Sequence, residues 1–148
     1  MLRICVIGVG HQGKHHVRFL KSLSGVQLSL IVDRDTDRAR QVGEESQIPY
    51  AAHYRDHLSE FDAAVIAVPT IDHFTIASEL MNAGKHLLIE KPVTATIEEA
   101  QQLVDLASQK GIVAHVGFPE RFNPAVVKAQ SEITRPLFVE CHRLGIFS

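Results

Sequence analysis

The amino-acid sequence predicts an α/β fold with a doubly wound, mostly parallel sheet that carries helices on both faces. Strand-like apolar runs alternate with helix-like apolar periodicities, as they do when crossover helices join parallel strands. The run at 63–68 is apolar without interruption, which is typical of a central strand covered on both faces. Helix boundaries are also marked, by glycines that end three helices and by a capping box that opens one: Gly25, Gly84 and Gly111, and Thr96 with Glu99.

Taken in order, these patterns predict seven strands and six helical segments. The strands are expected at 2–7, 27–32, 50–51, 63–68, 86–89, 112–116 and 137–143. The helices are expected at 12–24, 36–46, 54–59, 71–83, 96–111 and 124–132. The first six strands fit the order 3-2-1-4-5-6, which places a ligand outside the carboxyl ends of strands one and four.

Caps and apolar spacing define the individual helices. Asp35 is the expected N-cap of the second helix, and Pro124 lies in the first turn of the last one. Apolar residues at helical spacing predict the buried faces of two further helices. These are Ile71, Phe74, Ala77 and Leu80 with Met81 beside them, and Ile97, Ala100, Leu103, Val104 and Ala107.

The composition is that of a soluble globular domain. The chain has 148 residues, 45% hydrophobic and 22% charged, which is enough for one proper core. The net charge of −2, with scattered Lys and Arg, predicts no nucleic-acid partner. No stretch has transmembrane length or the features of a signal peptide, so we expect no membrane partner and a cytoplasmic location. Cys5 and Cys141 lack metal-ligand spacing, and His53 and His57 lack the glutamate of an HExxH motif, so no metal is expected.

A glycine-rich loop, Gly8-Val9-Gly10-His11-Gln12-Gly13, follows the first strand, and Asp33 ends the second strand twenty residues later. This arrangement predicts a dinucleotide-binding βαβ unit. Gly8 allows the tight turn, Gly10 lets a pyrophosphate approach the backbone, and Gly13 lets the first helix pack close to the sheet. The backbone N–H groups of His11 and Gln12 are expected to face phosphate. The alternative is a tight turn beside a solvated Asp33.

The pair Asp33 and Arg34 bears on the choice of cofactor. A carboxylate at this position accepts hydrogen bonds from free ribose hydroxyls and repels a 2′-phosphate, so we expect NAD rather than NADP. Arg34 is expected to stack on adenine or to offset part of that repulsion.

Further candidate residues follow the fourth predicted strand. Val68 and Pro69 lie at its end and are expected to border the cofactor. Thr70 and His73, about one helical turn apart, are each placed to reach the cofactor ribose. For His73 the alternative is a residue at a helix N-terminus with its ring in solvent.

The order of the motifs resembles the Gfo/Idh/MocA oxidoreductases over essentially the whole chain. The resemblance is carried by the glycine loop, Asp33, the segment Pro69-Thr70-Ile71-Asp72-His73 and, most distinctively, the segment 84–92, which ends in Glu90-Lys91-Pro92. It implies a Rossmann domain that binds NAD or NADP and a reversible hydride transfer to or from a hydroxyl-bearing carbon, usually of a sugar, inositol or sugar nucleotide.

The resemblance also implies roles for particular residues. Lys91 takes the position of a lysine beside the nicotinamide and the substrate, where its ammonium group shares in proton transfer. Glu90 is expected to contact the nicotinamide ribose or to orient Lys91. A solvated lysine and a surface carboxylate are the alternatives. Residues 120–124, Glu-Arg-Phe-Asn-Pro, resemble relatives that oxidise UDP-N-acetylglucosamine at the 3-position. Arg121 then suits an anionic substrate, with a structural salt bridge as the alternative.

The same resemblance predicts how the chain is organised. Residues 1–120 are expected to form the NAD(P)-binding domain, and residues 121–148 the linking helix and first strand of a truncated substrate and dimerisation domain. The full-length protein is expected to be a homo-oligomer that acts on a sugar or nucleotide sugar, and the fragment alone to be inactive. A non-catalytic NAD(H)-sensing module is the alternative.

Overall fold

The computed structural model describes residues 1–138, Glu140 and His142. Its strands are β1 (Leu2–Ile7), β2 (Val26–Val32), β3 (Tyr50–Ala51), β4 (Ala63–Ile66), β5 (His86–Glu90) and β6 (Ala114–Gly117). Its helices are α1 (His11–Ser22), α2 (Thr36–Ser46), α3 (Thr70–Asn82), α4 (Ile97–Lys110) and α5 (Pro124–Glu132), with two short 3-10 helices at Arg55–Glu60 and Pro119–Phe122.

The six strands form one sheet in the order β3-β2-β1-β4-β5-β6, and every pair is parallel. At its centre Val6 of β1 lies between Ile31 of β2 and Val65 of β4. This confirms the predicted doubly wound α/β fold and the predicted strand order. All carboxyl ends therefore meet at one edge of the sheet, with the order of connection reversing between β1 and β4.

Two apolar clusters cover the two faces of the sheet. Along β1, Cys5 and Ile7 belong to the cluster that α3 and α4 complete, while Ile4 and Val6 belong to the cluster that α1 and α2 complete. Alternate residues of a strand point to opposite faces, so a strand buried on both sides is apolar throughout. Burial also raises the pKa of the Cys5 thiol, which keeps it protonated.

Several helix boundaries follow the predicted signals. Thr96 accepts a hydrogen bond from the Glu99 backbone N–H at 3.2 Å, and the Glu99 carboxylate accepts one from the Thr96 N–H at 3.2 Å, which completes the capping box. Gly84 and Gly111 follow α3 and α4 with φ of 76° and 65°. The left-handed conformation costs glycine little and lets the chain turn back into the sheet.

Other expectations were wrong. Helix α1 ends at Ser22, and Gly25 lies in the turn before β2 instead of directly after the helix. Ile71 is 78% exposed because the buried side of α3 passes through His73, Ala77, Leu80 and Met81. Ile97 and Val104 are also exposed, since α4 packs mainly against α3 and buries only a narrow stripe around Leu103.

The chain consists of two compact units, residues 1–117 and the residues from Phe118 onward. In the second unit Asn123 caps α5 by accepting a hydrogen bond from the Ala125 N–H at 3.0 Å. The strand predicted at 137–143 includes residues 139, 141 and 143, so this prediction lies outside the described residues, and so does Cys141. The helices within the described part of the chain are too short or too polar to cross a bilayer.

Candidate functional site

A cleft of about 620 Å³ opens at the carboxyl ends of β1, β2 and β4, at the edge that the topology predicts. Eight of the residues expected to bind a cofactor line it: Gly8, Gly10, His11, Gln12, Asp33, Arg34, Val68 and Pro69. Four others, Thr70, His73, Glu90 and Lys91, are not part of its lining, and Gly13 lies beneath the loop.

The glycine loop is shaped by two close backbone approaches. Gly8 has a φ of 86°, and a Cβ there would lie 2.5 Å from the carbonyl oxygen of Ala67. A Cβ at Gly13 would lie 1.8 Å from the carbonyl oxygen of Gly8. Because no side chain fits at either position, both glycines are required for α1 to begin directly above the end of β1.

Gly10 differs from these two glycines, since a Cβ there would meet no atom within 4 Å. The residue lines the open cleft and precedes the first turn of α1, where no side chain caps the helix. The first N–H groups of an α-helix have no partner within the helix, and the helix dipole favours negative charge beside them. This wall of the cleft therefore suits a phosphate group.

Asp33 is 5% exposed, and its carboxylate is held by the surrounding backbone. Its two oxygens accept hydrogen bonds from the N–H groups of Val9 and Asp35, each at 2.9 Å. Arg38 lies 3.2 Å from the carboxylate and 2.8 Å from that of Asp35. The alternative of a solvated Asp33 is wrong, because the side chain is buried and fixed by backbone donors and by Arg38.

Sequence reasoning missed Arg38, which also lines the cleft. Its position three residues after the N-cap Asp35 is the signal that could have found it, since residues three apart on a helix share a face. The backbone N–H of Arg38 donates to the Asp35 carboxylate and lowers the pKa of that group.

The far wall of the cleft was not predicted either. It is formed by Ala52, His53, Tyr54 and Arg55 after β3 and by Asp72, Thr75 and Ile76 of α3. Arg55 donates two hydrogen bonds to Glu79 of α3, at 2.7 and 2.8 Å, and Tyr54 donates a third at 2.5 Å. The Arg55 guanidinium lowers the pKa of Glu79, so the wall is tied together by a charged pair.

Arg34 and Asp72 face each other across this end of the cleft, with 3.6 Å between the guanidinium and the carboxylate. Arg34 comes from the turn after β2 and is 77% exposed, while Asp72 lies in the first turn of α3. An exposed guanidinium at the rim remains free to stack on a flat base.

His73 is buried at 1% exposure, so the alternative with its ring in solvent is wrong. Its Nδ1 lies 2.9 Å from the carbonyl oxygen of Pro92, and its Nε2 lies 2.9 Å from that of Val68. Carbonyl oxygens only accept hydrogen bonds, so a ring with one N–H satisfies one of them and a ring with two satisfies both. The ring joins the turns after β4 and β5, because each of its nitrogens lies 2.9 Å from a carbonyl oxygen of one of these turns.

Glu90 ends β5, and Lys91 follows it as an exposed residue at the same sheet edge. The Glu90 carboxylate lies 2.8 Å from Nε2 of His16, and its other oxygen accepts a hydrogen bond from the Lys91 N–H at 3.3 Å. The alternative of a surface carboxylate is wrong, because the Glu90 side chain is only 16% exposed. Sequence reasoning did not connect His16 with this segment.

Arg121 belongs to the second unit, in the 3-10 helix Pro119–Phe122, and it is exposed. Its role in substrate binding stays a prediction. Within the described residues, no three His, Cys, Asp or Glu side chains come together as a candidate metal site.

Comparison with known proteins agrees with this geometry. Residues 2–118 match the model of the Gfo/Idh/MocA oxidoreductase family, described as an NAD-binding Rossmann fold. A UDP-N-acetylglucosamine 3-dehydrogenase from Acidithiobacillus ferrooxidans is 36% identical over 147 residues, which are 99% of this chain and 46% of that protein. Its crystal structure, named GnnA, superposes with a TM-score of 0.83 at 35% identity, over 88% of this chain and 43% of the other.

Two further proteins show the same similarity over most of this chain. The scyllo-inositol 2-dehydrogenase (NAD(+)) of Bacillus subtilis is 30% identical, over 93% of this chain and 43% of its own length. GenD2 from gentamicin A biosynthesis, solved in complex with NAD, has a TM-score of 0.86 at 27% identity, over 90% of this chain and 39% of its own. The chain thus spans less than half the length of each of these relatives. Since the family model covers most of the chain, the chain belongs to the Gfo/Idh/MocA family of oxidoreductases and carries its NAD-binding Rossmann domain.

Proposed function

We propose that this chain is the cofactor-binding part of an NAD-dependent dehydrogenase that acts on a hydroxyl-bearing carbon of a sugar or nucleotide sugar. The observation that carries the proposal is the alignment of three features on one sheet edge: the open wall at Gly10, the fixed carboxylate of Asp33, and Lys91 after β5. A purely structural turn would require none of the three.

The residues of the cleft fit a dinucleotide. The open wall at Gly10 and the unpaired N–H groups of α1 would hold the pyrophosphate. Asp33 would accept hydrogen bonds from the hydroxyls of the adenosine ribose, because backbone donors already orient its oxygens. Arg34 would cover the base at the rim. Bound there, the nicotinamide ring supplies the hydride chemistry, as acceptor or donor.

In this proposal Lys91 is the catalytic residue. Lys91 is exposed and directly follows β5, and the neighbouring strand β4 borders the cleft. As an ammonium group Lys91 can donate a hydrogen bond to the substrate oxygen, and as a neutral amine it can accept the proton that a hydroxyl must lose when its carbon is oxidised. The proposal includes a second domain that closes over this edge and supplies further residues.

For the substrate, we favour a nucleotide sugar of the UDP-N-acetylglucosamine type. The support is the 36% identity to the Acidithiobacillus enzyme and the segment at residues 120–124. Arg121 would then pair with the diphosphate of the substrate. The cytoplasmic location and the homo-oligomeric state expected from the sequence belong to the same proposal.

The test is a turnover assay of the complete gene product with NAD⁺ and either UDP-N-acetylglucosamine or scyllo-inositol, followed by the near-ultraviolet absorbance of NADH. We expect NADH to form with the nucleotide sugar and Lys91→Met to abolish most of the rate while NAD⁺ still binds. Full activity of Lys91→Met would contradict the catalytic role. Binding of NADH with no turnover on any sugar substrate would favour the sensing module instead.

A further inference from the structure

The Glu90 carboxylate is held between two elements that are distant in sequence. On one side Nε2 of His16, in the second turn of α1, lies 2.8 Å from Oε1 of Glu90. The side chains are only 23% and 16% exposed, so water competes little for this contact. An ionised carboxylate only accepts hydrogen bonds, so His16 donates from Nε2, and this fixes the tautomer of a neutral ring.

The same carboxylate also lies against Gly117, which pairs with Glu90 in the register of β5 and β6. A Cβ at Gly117 would lie 3.2 Å from Oε1 and 3.3 Å from the carboxyl carbon of Glu90. These distances are shorter than ordinary van der Waals contacts. Glycine at this position therefore leaves the space that the carboxylate occupies beside His16.

The second carboxylate oxygen of Glu90 reaches forward to Lys91. It accepts a hydrogen bond from the Lys91 backbone N–H at 3.3 Å. The Glu90 carboxylate thus connects His16 of α1 with the backbone of Lys91, the residue that carries the ammonium group. A carboxylate left without His16 would be free to turn towards water and release this N–H.

We propose that His16 is a positioning residue for the reaction, acting through Glu90 to fix the turn that presents Lys91. The proposal rests on the proposed function, in which this turn borders the nicotinamide half of the cofactor. Gly117 is the third part of the arrangement, because its lack of a side chain leaves room for the carboxylate beside His16. The glycine loop, one turn before His16 at the start of α1, would hold the pyrophosphate, so one helix would organise both halves of the site.

The test compares two variants of His16 in the 148-residue chain. His16→Gln keeps an N–H donor near the position of Nε2, whereas His16→Leu is similar in size and has none. Two measurements are made: the amide NMR resonance of Lys91 without cofactor, and calorimetric titrations with NADH and with ADP-ribose, which lacks the nicotinamide. We expect His16→Leu to shift the Lys91 resonance and to weaken the binding of NADH about fivefold. ADP-ribose affinity should stay unchanged, and His16→Gln should restore the NADH value.

The chain offers a matched control in a second His–Glu pair. His57 lies 2.7 Å from Glu60 within the 3-10 helix Arg55–Glu60, and neither residue lines the cleft. His57→Leu should leave both readouts unchanged. Gly117→Ala should change both readouts in the same direction as His16→Leu, since its Cβ would crowd the same carboxylate.

An unmoved Lys91 resonance in folded His16→Leu would overturn the proposal. Equal loss of affinity for NADH and for ADP-ribose would also overturn the proposal, because His16 would then support α1 as a whole. If the unsubstituted chain binds neither ligand, the proposed function fails, and the Lys91 resonance, measured without cofactor, still decides whether His16 acts on that turn.

Discussion

Gly10 and Gly13 belong to the same loop, yet alanine should lower the stability of the fold at Gly13 and the affinity for NADH at Gly10. A Cβ at Gly13 would lie 1.8 Å from the Gly8 carbonyl oxygen, more than 1 Å closer than the 3.0 Å that real Cβ atoms respect. Helix α1 must therefore move away from β1. We expect Gly13→Ala to lower the free energy of unfolding by about 3 kcal/mol, at the upper end of the cost of overpacking.

At Gly10 an added Cβ meets no atom within 4 Å, and the φ of −67° lies outside the left-handed region that favours glycine. Gly10→Ala should therefore keep the unfolding free energy within about 0.5 kcal/mol of the parent chain. Its methyl group would instead occupy the wall expected to hold the pyrophosphate. Loss of one charge-assisted hydrogen bond, about 1.5–3 kcal/mol, corresponds to roughly a 10- to 150-fold weaker NADH affinity.

Urea unfolding and calorimetric titration of both variants provide the assay. If Gly10→Ala binds NADH as tightly as the parent chain does, the wall beside Gly10 does not hold the cofactor. A Gly13→Ala variant of unchanged stability would refute the packing argument in the same way.

Three further predictions concern stability. The Arg3 guanidinium donates a 2.6 Å hydrogen bond to Asp62 and lowers the pKa of that carboxyl to about 2. This pair therefore stabilises the fold above about pH 4, and its contribution is lost as the pH falls towards 2. Asp62→Asn should make the melting temperature less dependent on pH over that range, and an unchanged dependence would refute this. Tyr54→Phe removes the hydrogen bond to Glu79 and should lower the free energy of unfolding in urea by about 1 kcal/mol. An unchanged free energy of unfolding would contradict this. His73→Ala leaves two carbonyls without their buried partner and should cost about 3 kcal/mol, a prediction contradicted by a loss below about 1 kcal/mol.

The sequence predicts the sheet and the glycine loop well because their signals are local. An uninterrupted apolar run identifies β4, and the spacing from Gly13 to Asp33 identifies the βαβ unit without knowledge of any distant contact. The capping box at Thr96 is equally local. Each signal depends on residues whose spacing along the chain is set by the helix or strand itself.

Features that depend on contacts between distant segments could not be predicted in this way. His16 and Glu90 are 74 positions apart, and His73 meets Pro92 over 19 positions. Apolar spacing predicts Ile71 on the buried side of α3, because spacing alone does not show that the polar ring of His73, with two backbone partners, takes that side. Tertiary hydrogen bonds, which leave no periodic pattern, decided these positions.

In the proposed function, the cleft binds NAD through the carboxylate of Asp33. The most direct test is a calorimetric titration of the chain with NADH and, in parallel, with NADPH. We predict that NADH binds at least about tenfold more tightly than NADPH. Asp33→Asn should reduce this difference in affinity, because the neutral amide no longer repels a 2′-phosphate. Equal or tighter binding of NADPH, or an unchanged difference in Asp33→Asn, would contradict the claim.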